Sequence, residues 1–94
     1  LIGRTRLEQG EGMLFPRCKD IHMWFMSIPI DVVFVRREKR ADGTESLTVS
    51  SVHEDVRPWK PLPLRDGKAT DTLELPVGTI RRCSIRAGDG ICIN

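Results

Sequence analysis

Cys18-Lys-Asp-Ile-His-Met-Trp-Phe-Met-Ser-Ile-Pro-Ile-Asp-Val-Val-Phe-Val35 is the densest apolar stretch of the chain, and its reading decides the fold. Ile21, Met23 and Phe25 alternate with His22, Trp24 and Met26, the two-residue period of a strand. Pro29 has no N–H for a ladder and biases Ile28 toward extended geometry, so the spacing predicts a bend at residues 27–29. A second strand then begins. Ile30, Val32 and Phe34 line one side while Asp31, Val33 and Val35 line the other, so both faces are apolar except at one carboxylate. Such a strand is predicted to be central in its sheet. Asp31 must then find donors, because an unpaired buried carboxylate costs several kcal/mol.

Outward from this stretch, Met13-Leu14-Phe15 reads as a short strand closed by Pro16, and residues 1–12 as an irregular segment or one helical turn. Residues 36–46 are almost entirely polar, with Asp42-Gly43 as a two-residue hairpin turn at their middle. The returning arm, residues 47–56, is less apolar than the outgoing one and is predicted nearer a sheet edge. Three prolines between Arg57 and Leu64 predict an extended, polyproline-like crossing. Leu73 and Leu75 alternate with Thr72 and Glu74 in a further strand. Gly78-Thr79 opens a short helix capped by Thr79, with Ile80 and Cys83 toward the core. Ile91-Cys92-Ile93 is the last strand. Five to seven short strands with one or two helical turns make this a mainly β, small single domain of sandwich or distorted-barrel type.

Composition narrows the function classes. A chain of 94 residues, 39% hydrophobic and 30% charged, suits one domain with one modest core, residues 1–94. No apolar run approaches the roughly 20 residues of a membrane span. The net charge of +2 comes from 15 basic and 13 acidic residues that are intermixed, which argues against nucleic acid or anionic lipid as partner. Cys18, Cys83 and Cys92 are an odd number without a CxxC pair, so a reducing, cytoplasmic compartment is expected and no disulfide framework. The chain opens on Leu1 without a leader, the expectation for a fragment or a processed product.

Several residues stand out chemically. Cys18 and His22 are the candidate catalytic pair, a thiolate with an imidazole to lower its pKa. On a straight strand they would stand roughly 13 Å apart, so only a turn across residues 16–20 could join them. Otherwise Cys18 is a small buried hydrophobe, the commoner fate of a free thiol. A metal held by this pair with Asp31 or His53 lacks the spacings that identify such sites, so no metal and no cofactor are expected. The reading favoured for His22 is structural, with one ring nitrogen donated to Asp31. Trp24 and Trp59 are candidate binding residues because each indole N–H seeks a partner. His53-Glu54-Asp55 supplies donors and acceptors at a loop, for a ligand or for solvent. Arg36 to Arg40 and Arg81-Arg82 with Arg86 are the only basic groups, and neither is interleaved with aromatics. The free N–H groups at Gly78-Thr79 could hold an anion, though a cap accounts for them.

The phrases LIGRTRLEQGEGMLFPRC, IHMWFMSIPIDVVFV, VHEDVRPW and LELPVGT, followed by RAGDGI, together resemble the bacterial and archaeal family known as domain of unknown function 192. The branch it looks like reads Cys-x-x-Ile-His, here Cys18, Ile21 and His22, before Met26, Pro29, Ile30 and Asp31. The resemblance implies a small jelly-roll-like β domain and no reaction. It also implies a further strand and an Arg-x-x-Gly-Leu phrase ahead of Leu1, and a shorter turn where this chain has residues 36–45. Some relatives carry an export signal, which this chain does not show. The functional expectation is a binding or accessory module for a small ligand or protein, with a polar site near Cys18, His22 and Asp31. The alternative is a small thiol-dependent hydrolase using Cys18 and His22. A binding surface is expected where Asp31, His53 and Trp59 converge with this pair.

Overall fold

Strand β4, Ile30–Lys39, is the centre of the molecule, with Asp31, Val32, Val33, Phe34 and Val35 all at 0% exposure. The computed structural model describes residues 4–7, 12–17, 20–21, 28–57 and 64–93. β4 pairs antiparallel with β5, Glu45–Val56, on one side and with β7, Asp71–Pro76, on the other. β2, Met13–Phe15, extends the sheet beyond β7, and β8, Gly90–Ile93, lies beside β5. β1, Arg4–Leu7, runs parallel to β8 at the far edge. The resulting order is β1-β8-β5-β4-β7-β2, a single sheet curled into a half-barrel. A small second sheet joins β3, Asp20–Ile21, to β6, Leu64–Arg65.

The two-residue period of β4 divides the apolar residues between the two faces. Val33 and Val35 pack with Val49, Leu73, Leu75 and Ile91, and with Ile80 of the short helix α1, Thr79–Cys83. Ile30, Val32 and Phe34 pack on the opposite side with Val56 and Ala69, against which Leu64 of β6 rests. The central, two-faced strand expected from the sequence is present, as are β2, β8, the alternation of β7 and the inward side of α1.

Other expectations are corrected. Residues 4–7 form a strand rather than an irregular segment, completed by parallel pairing with a strand more than eighty positions away. β5 is interior, because Leu47 and Thr48 pair with β8 and Val49 exchanges backbone hydrogen bonds with Gly88 and Asp89. The hairpin between β4 and β5 turns through three residues, not two. Arg40 N–H bonds the Thr44 carbonyl, Gly43 N–H bonds the Arg40 carbonyl, and Gly43 takes a φ of 89°, the left-handed residue that closes such a loop. His53, Glu54 and Asp55 belong to β5 rather than to a loop. Residues 22–27 and 58–63, which hold the predicted first strand and most of the proline-rich crossing, lie outside the described residues.

Candidate functional site

Asp31 finds its donors in two distant backbone segments. Its Oδ1 accepts the Asp55 N–H at 2.9 Å, and its Oδ2 accepts those of Gly78 at 3.0 Å and Ile80 at 2.9 Å. Each donor has a local reason to be unpaired in the sheet. Between Ile30 and Val32 the register of β5 slips by one residue, and Asp55 sits in this bulge with a φ of 50°. Gly78 is the N-cap of α1 with a φ of 95° and supplies no side chain to cap it. The expected cap by Thr79 is therefore corrected: Thr79 Oγ1 donates to the Pro76 carbonyl at 2.7 Å, and Asp31 satisfies the helix start instead. The anion that a free helix start would attract is a side chain of the same protein.

Three arginines surround this clamp. Arg57 follows the β5 bulge, Arg81 and Arg82 follow Ile80, and together with Pro29, Val77, Glu54 and Asp55 they line an open cleft of about 810 Å³ above Asp31. Arg57 Nη2 meets Asp55 Oδ2 at 3.0 Å and Arg81 Nε meets Glu54 Oε1 at 3.5 Å, both pairs in solvent. Exposed pairs of this kind are worth about 0–1 kcal/mol, so the guanidinium groups exchange partners readily. Arg57 stands in the phrase VHEDVRPW but was not named as a site residue; its place at the cleft follows the bulge two positions earlier.

His53 lies on the other face. It is paired across the ladder with Val32, and its ring meets that of Phe34 edge to face, with centroids 5.5 Å apart and planes at 82°. Asp31 and His53, expected to converge, are thus separated by the sheet, since Asp31 shares the side of Val33 and Leu75. His53 Nε2 is 3.2 Å from Ser51 Oγ, which donates to Asp66 Oδ2 at 2.8 Å. Asp66 Oδ1 also accepts the Lys68 N–H at 2.8 Å. Burial pushes the Asp66 pKa up, but the hydrogen bonds from Ser50, Ser51 and Lys68 and the neighbouring His53 outweigh it and hold the carboxyl below its ordinary value. The sequence marked Asp66-Gly67 only as a turn and Ser51 not at all; that they meet is decided by the turn after β6, which brings together residues 15 positions apart. Cys18, His22, Trp24 and Trp59 lie outside the described residues. Of the other thiols, Cys83 is half-buried against the core and Cys92 is exposed, both free.

A family model for uncharacterised proteins, DUF192 (Uncharacterized ACR), matches residues 1–93. The chain belongs to the DUF192 family. No significant match to a curated protein or to a solved structure was found. Membership brings no assigned activity to this DUF192 chain, so its chemistry has to be argued from its own side chains. Among the described residues, no helix of this DUF192 chain is long and apolar enough to cross a membrane.

Proposed function

We propose that the chain is a binding module whose recognition surface is the arginine-lined cleft over Asp31, and that the group recognised is an anion such as a phosphate or carboxylate. The observation that carries this reading is the Asp31 clamp. By tying Asp55, Gly78 and Ile80 to one carboxylate, it fixes the backbone on which Arg57, Arg81 and Arg82 stand. Guanidinium groups held on a fixed backbone offer forked donors that match a planar or tetrahedral anion. Pro29 and Val77 supply apolar walls, and Val77 is half exposed there at 52%. Glu54 and Asp55 set a selectivity, since an incoming anion must displace them from Arg81 and Arg57.

The test is a titration with inorganic pyrophosphate followed by two-dimensional 1H–15N NMR at low salt. The expected result is saturable movement of the Gly78 amide and of the Nε–H signals of Arg57, Arg81 and Arg82, abolished in Arg57→Ala/Arg81→Ala. Movement confined to Arg36 and Arg40 at the β4–β5 tip, or none at all, overturns the reading.

A further inference from the structure

Among the described residues three large hydrophobic side chains are more than half exposed, Met13, Ile28 and Val77, and two of the three stand at the arginine cleft. Val77 lines it, and Ile28, at 63% exposure, is the chain neighbour of the lining Pro29. The sheet puts them together. The ladder of β4 with β7 ends at the pair Ile30 and Pro76, so Pro29 and Val77 leave it side by side. The cleft thus carries an apolar lip as well as the guanidinium groups of Arg57 and Arg81, whose side chains are largely in solvent. An inorganic anion engages the guanidinium groups alone and leaves this lip wet. An anion with an apolar group close to its charge covers both, and apolar area removed from water adds to the affinity.

Glu54 and Asp55 add a third chemistry. Once an incoming carboxylate has taken Arg81 and Arg57, the displaced Glu54 Oε1 and Asp55 Oδ2 become acceptors at the same cleft. A ligand with an N–H close to its carboxylate satisfies one of them. We infer that the anion taken by this cleft is the C-terminal carboxylate of a polypeptide that ends on an apolar residue, an inference that rests on the anion-binding reading above. The last residue of such a chain carries the carboxylate, the apolar side chain and the amide N–H on one carbon, and capture of a chain terminus is a recurring mode of peptide recognition. A fatty acid lacks the N–H. An anionic membrane surface brings like charge against Glu54 and Asp55, which repels it.

The probes are N-acetyl-Ala-Leu and N-acetyl-Ala-Gly with free carboxylates, the C-terminal amide of the first, 4-methylpentanoate and inorganic pyrophosphate. Each is titrated into the 15N-labelled protein and followed at the Gly78 amide. The leucine peptide is expected to saturate at about a tenth of the concentration the glycine peptide needs, the effect of covering one apolar side chain. Its amide, without the charge, is expected to leave Gly78 unmoved. 4-Methylpentanoate has the carboxylate and side chain of leucine but no N–H, and is expected to bind about fivefold more weakly than the peptide. Ile28→Ser is expected to narrow the leucine-to-glycine ratio about threefold, with its amide fingerprint reporting that the fold is kept. If pyrophosphate moves Gly78 but the two peptides bind alike, the anion cleft stands and the C-terminal specificity is overturned. If no probe moves Gly78, both are overturned. 4-Methylpentanoate binding as tightly as the peptide, or co-sedimentation with phosphatidylglycerol vesicles without any response to peptide, overturns the polypeptide as occupant.

Discussion

The carboxylate of Asp31, near the start of β4, accepts the N–H of Ile80 in α1 at 2.9 Å, across 49 positions of sequence. One side chain thereby joins the central strand to the only helix among the described residues, and through the Asp55 N–H to the bulge that ends β5.

Asp31→Ala would leave the buried Ile80 N–H without its acceptor, while the N–H groups of Asp55 and Gly78 face the open cleft, where water reaches them. An unsatisfied buried donor costs about 1–3 kcal/mol, so the expected loss of stability is of that size, and less for Asp31→Asn, which retains one acceptor oxygen. Urea unfolding measures it. Amide hydrogen exchange should show Gly78 and Ile80 losing protection before the β4–β7 ladder does. A loss below about 0.5 kcal/mol for the alanine variant would show that the clamp is not a structural tie.

Gly12 precedes β2 and lies close against β7. A Cβ there would overlap Leu75 Cδ2 and come within 2.7 Å of the Glu74 carbonyl oxygen. The backbone oxygen cannot swing aside as a side chain can. Gly12→Ala is therefore expected to cost about 1–3 kcal/mol and to loosen β2 from β7, seen as faster exchange of the amides that bridge these two strands. An alanine variant as stable as the parent refutes that close approach.

Asp71 is buried and bound to Arg37 Nη2 at 2.5 Å. Burial pushes its pKa up, but the Arg37 and Thr70 hydrogen bonds and the Arg37 charge outweigh it and leave the carboxyl below its ordinary value. A carboxyl that titrates lower in the folded than in the unfolded chain contributes its full stabilisation above the unfolded value, about pH 3.9, and loses it as pH falls through the folded one. The stability difference between wild type and Asp71→Asn should be level between about pH 5 and 7 and narrow below about pH 4. A difference that grows on acidification contradicts the assignment. Arg37→Met, which removes the cationic partner of this carboxylate and leaves it the Thr70 hydrogen bond, is expected to cost about 1.5–3 kcal/mol at neutral pH.

Glu74 presents the opposite case. It lies beside Val32 on the face of Phe34, half-buried, and burial alone raises its pKa. The folded protein then binds this proton more tightly than the unfolded chain, so the charge subtracts stability as pH rises through the raised value. Glu74→Gln is expected to raise the Tm at pH 7, with the gain vanishing below about pH 4, the ordinary range of a glutamate. Thermal melts of both proteins at the two pH values decide it; a Tm lowered at pH 7 would reverse the sign.

The alternation of Ile30 to Val35 by itself determined a central strand buried on both sides, because a period of two places every residue on one face or the other whatever its partners. The same local rule marked β2, β7 and β8; the i, i+3 spacing of Ile80 and Cys83 gave the inward side of α1, and the desolvation of a buried carboxylate the need of Asp31 for donors. Which donors it found was decided only by tertiary structure. A bulge at Asp55 and a left-handed Gly78 expose backbone N–H groups that no pattern of side chains announces. The parallel pairing of β1 with β8, the interior place of β5, the separation of Asp31 from His53 and the meeting of Ser51 with Asp66 were decided in the same way. Each is a contact between residues distant in sequence. Short-range periodicity sets the face a residue presents, but the strand order and the turns set what that face meets.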